Sequence, residues 1–221
     1  MIIKVQKAMM ILTILVCGWD LWVNLGCYLA ISNFFTNPTD ELGRLMESAG
    51  DLSDQVRNYV LFCFLGTFVT NILATNVLYN RARPKIAHFD LLSKYSKRRA
   101  VGSWFIPLGN LLLPRKRLNE LEQILRPDNL TLHDESQFNK RNKLGDYWWY
   151  SWVAYIILNR VVIAYYEPLF ERSSDPDELH GILNNLLVGI SVTSCFLMLS
   201  MILGFKYFDY LFGLETASSQ Y

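Results

Sequence analysis

Apolar residues in this chain are gathered into long runs with few charges, and the length of each run is what predicts the elements. A spanning helix needs about 20 mostly apolar residues to cross a hydrocarbon core about 30 Å thick. Four windows meet that requirement: residues 9–31, 59–79, 147–168 and 182–205. Trp148, Trp149 and Trp152 open the third window, and Tyr207, Phe208, Tyr210 and Phe212 follow the fourth. Such aromatic clusters favour the lipid headgroup level. The pattern predicts an all-α integral membrane protein, a four-transmembrane-helix bundle forming a single membrane domain over residues 1–221.

A fifth apolar stretch, AVGSWFIPLGNLLLP at residues 100–114, is too short to cross and is broken by Pro107. Lys97, Arg98 and Arg99 precede it and Arg115, Lys116 and Arg117 follow, so both flanks belong on one face of the membrane. It is expected to be a cytoplasmic interfacial or re-entrant element. The next segment places Leu118, Leu121, Ile124 and Leu125 at helical spacing, with Glu120 and Glu122 read as lying opposite. An amphipathic helix on the membrane surface is expected, making residues 100–126 one interfacial unit. Residues 127–145 are polar and expected to form a mobile cytoplasmic loop.

Charge orients these elements. The formal net charge is only +1, yet residues 80–145 carry fourteen Lys or Arg against six acids, a local balance of +8. The first loop, residues 36–56, holds five acids and only Arg44 as a base; the last holds Glu171, Asp175, Asp177 and Glu178 against Arg172. Lys and Arg accumulate on the cytoplasmic side, so both acidic loops belong outside and the basic segment inside. An even number of spans then places the N- and C-termini in the cytoplasm. The basic clusters are read as attraction to anionic headgroups rather than to nucleic acid, which is not expected as a partner. A hydrophobic fraction of 52% and a mean hydropathy of +0.17 agree with lipid as the solvent.

The N-terminal run behind Lys4 and Lys7 is interrupted by Trp19, Asp20 and Trp22 and has no small-residue cleavage site, so a retained anchor helix is expected rather than a signal peptide. Cys17, Cys27, Cys63 and Cys195 all lie in apolar runs without a CxxC pair and are expected to be buried free thiols.

The central residues resemble a known family. Ala100, Val101, Gly102, Trp104, Phe105, Ile106, Pro107, Asn110, Leu111 and Pro114, followed by Glu120 and Leu121, resemble the signature of the bacterial membrane family called domain of unknown function 4328. Leu78, Tyr79, Arg81 and Ala82 resemble that family's exit from its second helix. Trp148, Trp149 and Trp152, with Asn159 and Arg160, resemble its tryptophan-led third helix. Lys97, Arg98 and Arg99 stand where the family usually has Pro and an aromatic, and Ser103 where a second Trp is common. The resemblance implies a membrane protein containing the interfacial motif Trp104, Phe105, Ile106, Pro107, Asn110 and Pro114. It implies no reaction.

Candidate chemistry lies in the spans. A charged residue at the bilayer centre costs about 2.5 to 3.5 kcal/mol on insertion scales, so an ionisable group there is a functional hypothesis. Asp20 and Arg160 sit 11 and 13 positions past the cytoplasmic starts of their windows, a depth difference of about 3 Å at about 1.5 Å per residue. They form the candidate intramembrane pair. Asn24, Thr67, Thr70, Asn71, Asn159, Ser191 and Ser194 are expected at the same depth as a polar layer. That layer reads either as interhelical hydrogen bonding or as a proton or solute path, with Arg160 snorkelling towards Glu167 as a further alternative. His88, His133 and His180 fall in loops or at a helix end, and HExxH, GxSxG and a Walker A lysine are missing. No catalytic, metal or cofactor-binding residues are expected.

The expectation is a non-enzymatic bacterial inner-membrane protein, an accessory, immunity-type or sensor component acting through anionic lipid headgroups, a protein partner or a homo-oligomer. The alternative is a small transporter or proton-coupled channel using Asp20 and Arg160.

Overall fold

The structure, a computed structural model, describes residues 1–88, 101–104, 113–125 and 132–218. Among the described residues, five long elements follow in order, α1 (Ile2–Thr36), α2 (Asp40–His88), α3 (Leu113–Leu125), α4 (Leu132–Arg172) and α5 (Pro176–Ser218), and there is no strand. Four contain segments long and apolar enough to cross a membrane: Ile2–Thr36, Gly43–Arg83, Asn139–Phe170 and Pro176–Gly213.

These helices are longer than the apolar windows. They run 35, 49, 41 and 43 residues, or about 52 to about 74 Å at about 1.5 Å per residue. The extra turns are polar and locally well made. Asp40 and Glu41 sit in the first turn of α2, where negative charge offsets the helix dipole. At the start of α5, Asp175 Oδ1 accepts from the Asp177 amide at 3.1 Å and Pro176 takes the first helical position, where its missing N–H costs nothing.

The expected loop over residues 127–145 is corrected by this. Helix α4 begins at Leu132, so the polar residues from there onward are helical, while residues 126–131 lie outside the described ones. Low hydropathy signalled solvent and was mistaken for irregular backbone. Nor does α4 stop at Pro168, which lies inside it.

The chain packs as two compact units. Unit 1 comprises Met1–Met10, Gly66–Tyr150 and Ser200–Tyr221; unit 2 comprises Ile11–Leu65 and Ser151–Leu199.

Unit 2 buries polar groups and turns apolar ones outward. Asp20, Asn24, Ser53, Thr193 and Ser194 are buried, while Trp22 is 75% exposed, Phe62 68% and Leu15 65%. Large exposed apolar residues in such number mark contact with something other than water. Its interior also holds Val23, Cys27, Ile31, Val56 and Leu187 as an apolar core. Of the four cysteines, Cys17, Cys27 and Cys63 are buried, but Cys195 faces outward, which corrects the expectation for that thiol.

Unit 1 is built on aromatic packing. Trp148 stacks on Tyr207 with centroids 5.5 Å apart and meets Trp149 and Phe208 edge-on. Trp104 meets Phe68 and Trp149 edge-on and is 1% exposed. Leu118, Leu121 and Leu125 of α3 are buried in the same unit. Glu122 is buried with them rather than opposite, since residues 118, 122 and 125 are spaced by four and three and share one helix face.

Candidate functional site

In unit 2, helices α1 and α2 run antiparallel in a constant register. Thr13 Oγ1 donates to the Cys63 carbonyl at 3.4 Å, Trp19 stacks on Tyr59, and Ser53 Oγ donates to Asn24 Oδ1 at 3.2 Å. In this register, position 57 rather than 67–71 faces Asp20.

A closed polar network results. Ser194 Oγ on α5 donates to Asp20 Oδ2 at 2.6 Å, and Asn24 Nδ2, one turn along α1, donates to the same oxygen at 3.2 Å. Ser53 completes a chain from α2 through α1 to α5. Asp20 is 2% exposed and Asn24 1%. At the facing position of α2 stands the cation Arg57.

The expected Asp20–Arg160 pair is therefore corrected. Arg160 faces outward on α4, and no ion pair joins it to Asp20. Equal depth along two helices leaves their rotation free, and the turn of α4 that buries Trp152 and Tyr155 carries position 160 away from the interior.

The expected polar layer is likewise split. Thr67, Thr70 and Asn71 belong to unit 1, where Gln6 Nε2 donates to Asn71 Oδ1 at 2.7 Å. Asn159 and Ser191 are half-buried in unit 2, and the serine that binds Asp20 is Ser194, one turn after Ser191. The reason is register. Aligning the centres of two apolar windows misplaces helices whose apolar windows are offset, and packing set the offset. Ser53 was missed because it lies before the apolar window of α2.

Beside this network is a cavity of about 310 Å³ lined from all four helix segments of unit 2, by Ile31, Ser53, Arg57, Phe170, Leu183 and Leu187 among others. Arg57 has an ion pair at 3.9 Å with Asp54, and its Nε is buried without a hydrogen-bond partner.

Unit 1 holds a second cluster, which sequence reasoning did not single out. Arg115 of α3 donates from Nε to Asp146 Oδ1 at 2.8 Å, from Nη2 to Asn142 at Oδ1 (2.7 Å) and at the carbonyl (2.9 Å), and from Nη1 to the Tyr207 hydroxyl at 3.0 Å. Tyr207 donates to Glu122 Oε2 at 3.2 Å. One guanidinium thus joins α3 to α4 and α5. Burial pushes the Glu122 carboxyl up to about 7; Arg115 and the hydroxyls of Tyr207 and Tyr210 oppose that rise, and Asp146 adds to it. The spacing Arg115, Leu118, Glu122, Leu125 was the available signal, since it puts two charges on an apolar stripe.

Among the described residues, no group of three or more His, Cys, Asp or Glu is placed to hold a metal. His180 stacks on Phe35 and shares a 2.8 Å hydrogen bond through Nε2 with Asn184.

A family model described as "Domain of unknown function (DUF4328)" matches residues 42–207, well over half of the chain. The chain belongs to this family. No curated protein and no solved structure matches it. Six of the DUF4328 residues recognised in the sequence, Leu78, Tyr79, Ala82, Trp104, Trp148 and Trp149, are buried in unit 1, and Trp104 meets Trp149 directly at 5.7 Å; Trp152, Asn159 and Arg160 belong to unit 2. Pro114 is buried at the start of α3, whereas Phe105, Ile106, Pro107 and Asn110 lie outside the described residues.

Proposed function

We propose that this DUF4328 protein is a non-enzymatic component of the bacterial inner membrane, with both termini in the cytoplasm. It acts as an accessory, immunity-type or sensor protein by presenting unit 1 to anionic headgroups and to a protein partner. The observation that carries this reading is the distribution of bases in unit 1. Arg115 is buried and consumed by the internal network, while Arg81, Arg83, Lys116, Lys140, Arg141 and Lys143 are exposed around the same aromatic core. A rigid core under a basic surface attracts anionic lipid at roughly 1 kcal/mol per base near the surface.

The transport alternative loses its main support with the separation of Asp20 and Arg160. Within the preferred reading, the Asp20 network holds helices together.

The test is recovery of partners from mild detergent, together with the amount of anionic lipid that copurifies with the protein. A variant carrying Lys140→Glu, Arg141→Glu and Lys143→Glu loses the copurifying anionic lipid and partner recovery while keeping its unfolding temperature. Unchanged binding by that variant would refute the reading. Reporter fusions at either terminus that report the periplasm would refute the topology.

A further inference from the structure

The cavity in unit 2 has the composition of a binding site rather than of a packing defect. Its walls come from α1 (Ile31), α2 (Ser53, Arg57), α4 (Phe170) and α5 (Leu183, Leu187), and it opens to the surface of the unit. Ligand pockets are mostly apolar, with a few convergent polar groups, and about 300 Å³ is the lower end of their range. Here the polar groups are not equivalent. Ser53 is committed to Asn24 at 3.2 Å, whereas Arg57 keeps one donor, its Nε, for a ligand. Its contact with Asp54, which also borders the cavity, is long at 3.9 Å, and both side chains reach solvent, which weakens that pair. The buried Nε has no acceptor. A buried donor without an acceptor is unfavourable, and an incoming oxygen would satisfy it.

By the register that sets Ser53 against Asn24, Arg57 lies level with Asp20, and the cavity extends from it along the Ser53 and Gly50 turns of α2. A ligand held there has its polar end on Arg57 and its apolar part among Ile31, Phe170, Leu183 and Leu187. The head must accept hydrogen bonds and favour a cation, which describes an oxyanion; Arg suits planar carboxylate and phosphate geometry.

We propose that this cavity binds a membrane amphiphile with an anionic head, the head on Arg57 and one acyl chain in the cavity. Both a free fatty acid and an anionic phospholipid carry that chemistry. The inference is independent of the function proposed for unit 1, because it concerns the other unit and is read out without a protein partner.

The full chain in detergent is photolabelled with a diazirine-bearing palmitate. Labelling saturates and maps to peptides containing Phe170 or Leu183–Leu187. Oleate displaces it and oleyl alcohol does not; displacement by dioleoyl phosphatidylglycerol in place of oleate identifies the bilayer lipid as the source. Arg57→Gln weakens labelling by about ten-fold or more, and Arg57→Lys by less, because charge survives while the fork is lost. Leu187→Trp, which fills the cavity and keeps Arg57, abolishes labelling while the protein still unfolds cooperatively. Unsaturable labelling, equal competition by oleyl alcohol, or unchanged labelling in both Arg57→Gln and Leu187→Trp overturns the proposal.

Discussion

Arg115 and Glu122 meet at 3.8 Å on one face of α3, both side chains buried, and the hydroxyl of Tyr207 accepts from the first and donates to the second. Desolvation outweighs this cation and these hydroxyls, because the carboxyl stands at about 7 against its ordinary 4.5. A raised carboxyl binds its proton more tightly when folded. Stability is therefore highest below about pH 4.5, falls as pH rises to about 7, and is level above that, losing at most about 3 kcal/mol through this group. Unfolding temperature in detergent across that window measures the slope. Glu122→Gln should flatten it, and a wild-type profile that instead climbs with pH would show that Arg115 dominates the burial cost.

Removing Arg115 leaves Glu122 and Asp146 facing each other without their cation. Arg115→Ala is expected to lower stability by about 3 to 5 kcal/mol, as for other broken buried pairs. Adding Glu122→Gln should restore part of that, with a coupling of about 0.5 to 3 kcal/mol in a double-mutant cycle read by chemical denaturation. Strict additivity would mean that the two residues do not share a network.

Gly145 of α4 lets this cluster close. A Cβ there would lie 2.6 Å from Tyr207 and 2.8 Å from Arg115, so Gly145→Ala must displace one of them. The expected loss is about 1 to 3 kcal/mol. Gly181→Ala in α5 meets nothing within 4 Å and should gain about 0.5 to 1 kcal/mol from helix propensity. Thermal unfolding of the two variants side by side separates the steric effect from propensity.

Asp20 tests the role of the unit 2 network. Asp20→Leu leaves Ser194 and Asn24 without their shared acceptor and should reduce folded abundance, whereas Asp20→Asn keeps a carbonyl oxygen and should lose about 0.6 to 1.7 kcal/mol. Arg160→Gln, on the outward face, should change stability by less than about 0.5 kcal/mol. If Asp20→Asn leaves abundance intact but abolishes an ion or solute flux in proteoliposomes, the network is a transport path and the scaffold reading fails.

The division between what was legible and what was not follows from the range of the forces involved. Helix number, approximate position and the membrane as solvent are properties of local apolar runs, and the family motif is a local string of residues, so both could be read directly. The helical state of residues 132–145 was hidden, because exposed helix and exposed loop are equally polar. The burial of Glu122 was present in the spacing of 118, 122 and 125, but its charge argued for solvent until Arg115 and Tyr207 were found beside it.

By itself, then, the sequence determined four apolar helices, their acidic and basic connections and the DUF4328 motif, because each depends on residues close together along the chain. Only the tertiary structure decided that Asp20 meets Ser194, 174 residues away, with Arg57 rather than Arg160 at the facing position, and that Arg57 borders a cavity. Hydropathy says which residues lie inside a membrane, but the register and rotation of one helix against another come from side-chain packing between distant segments.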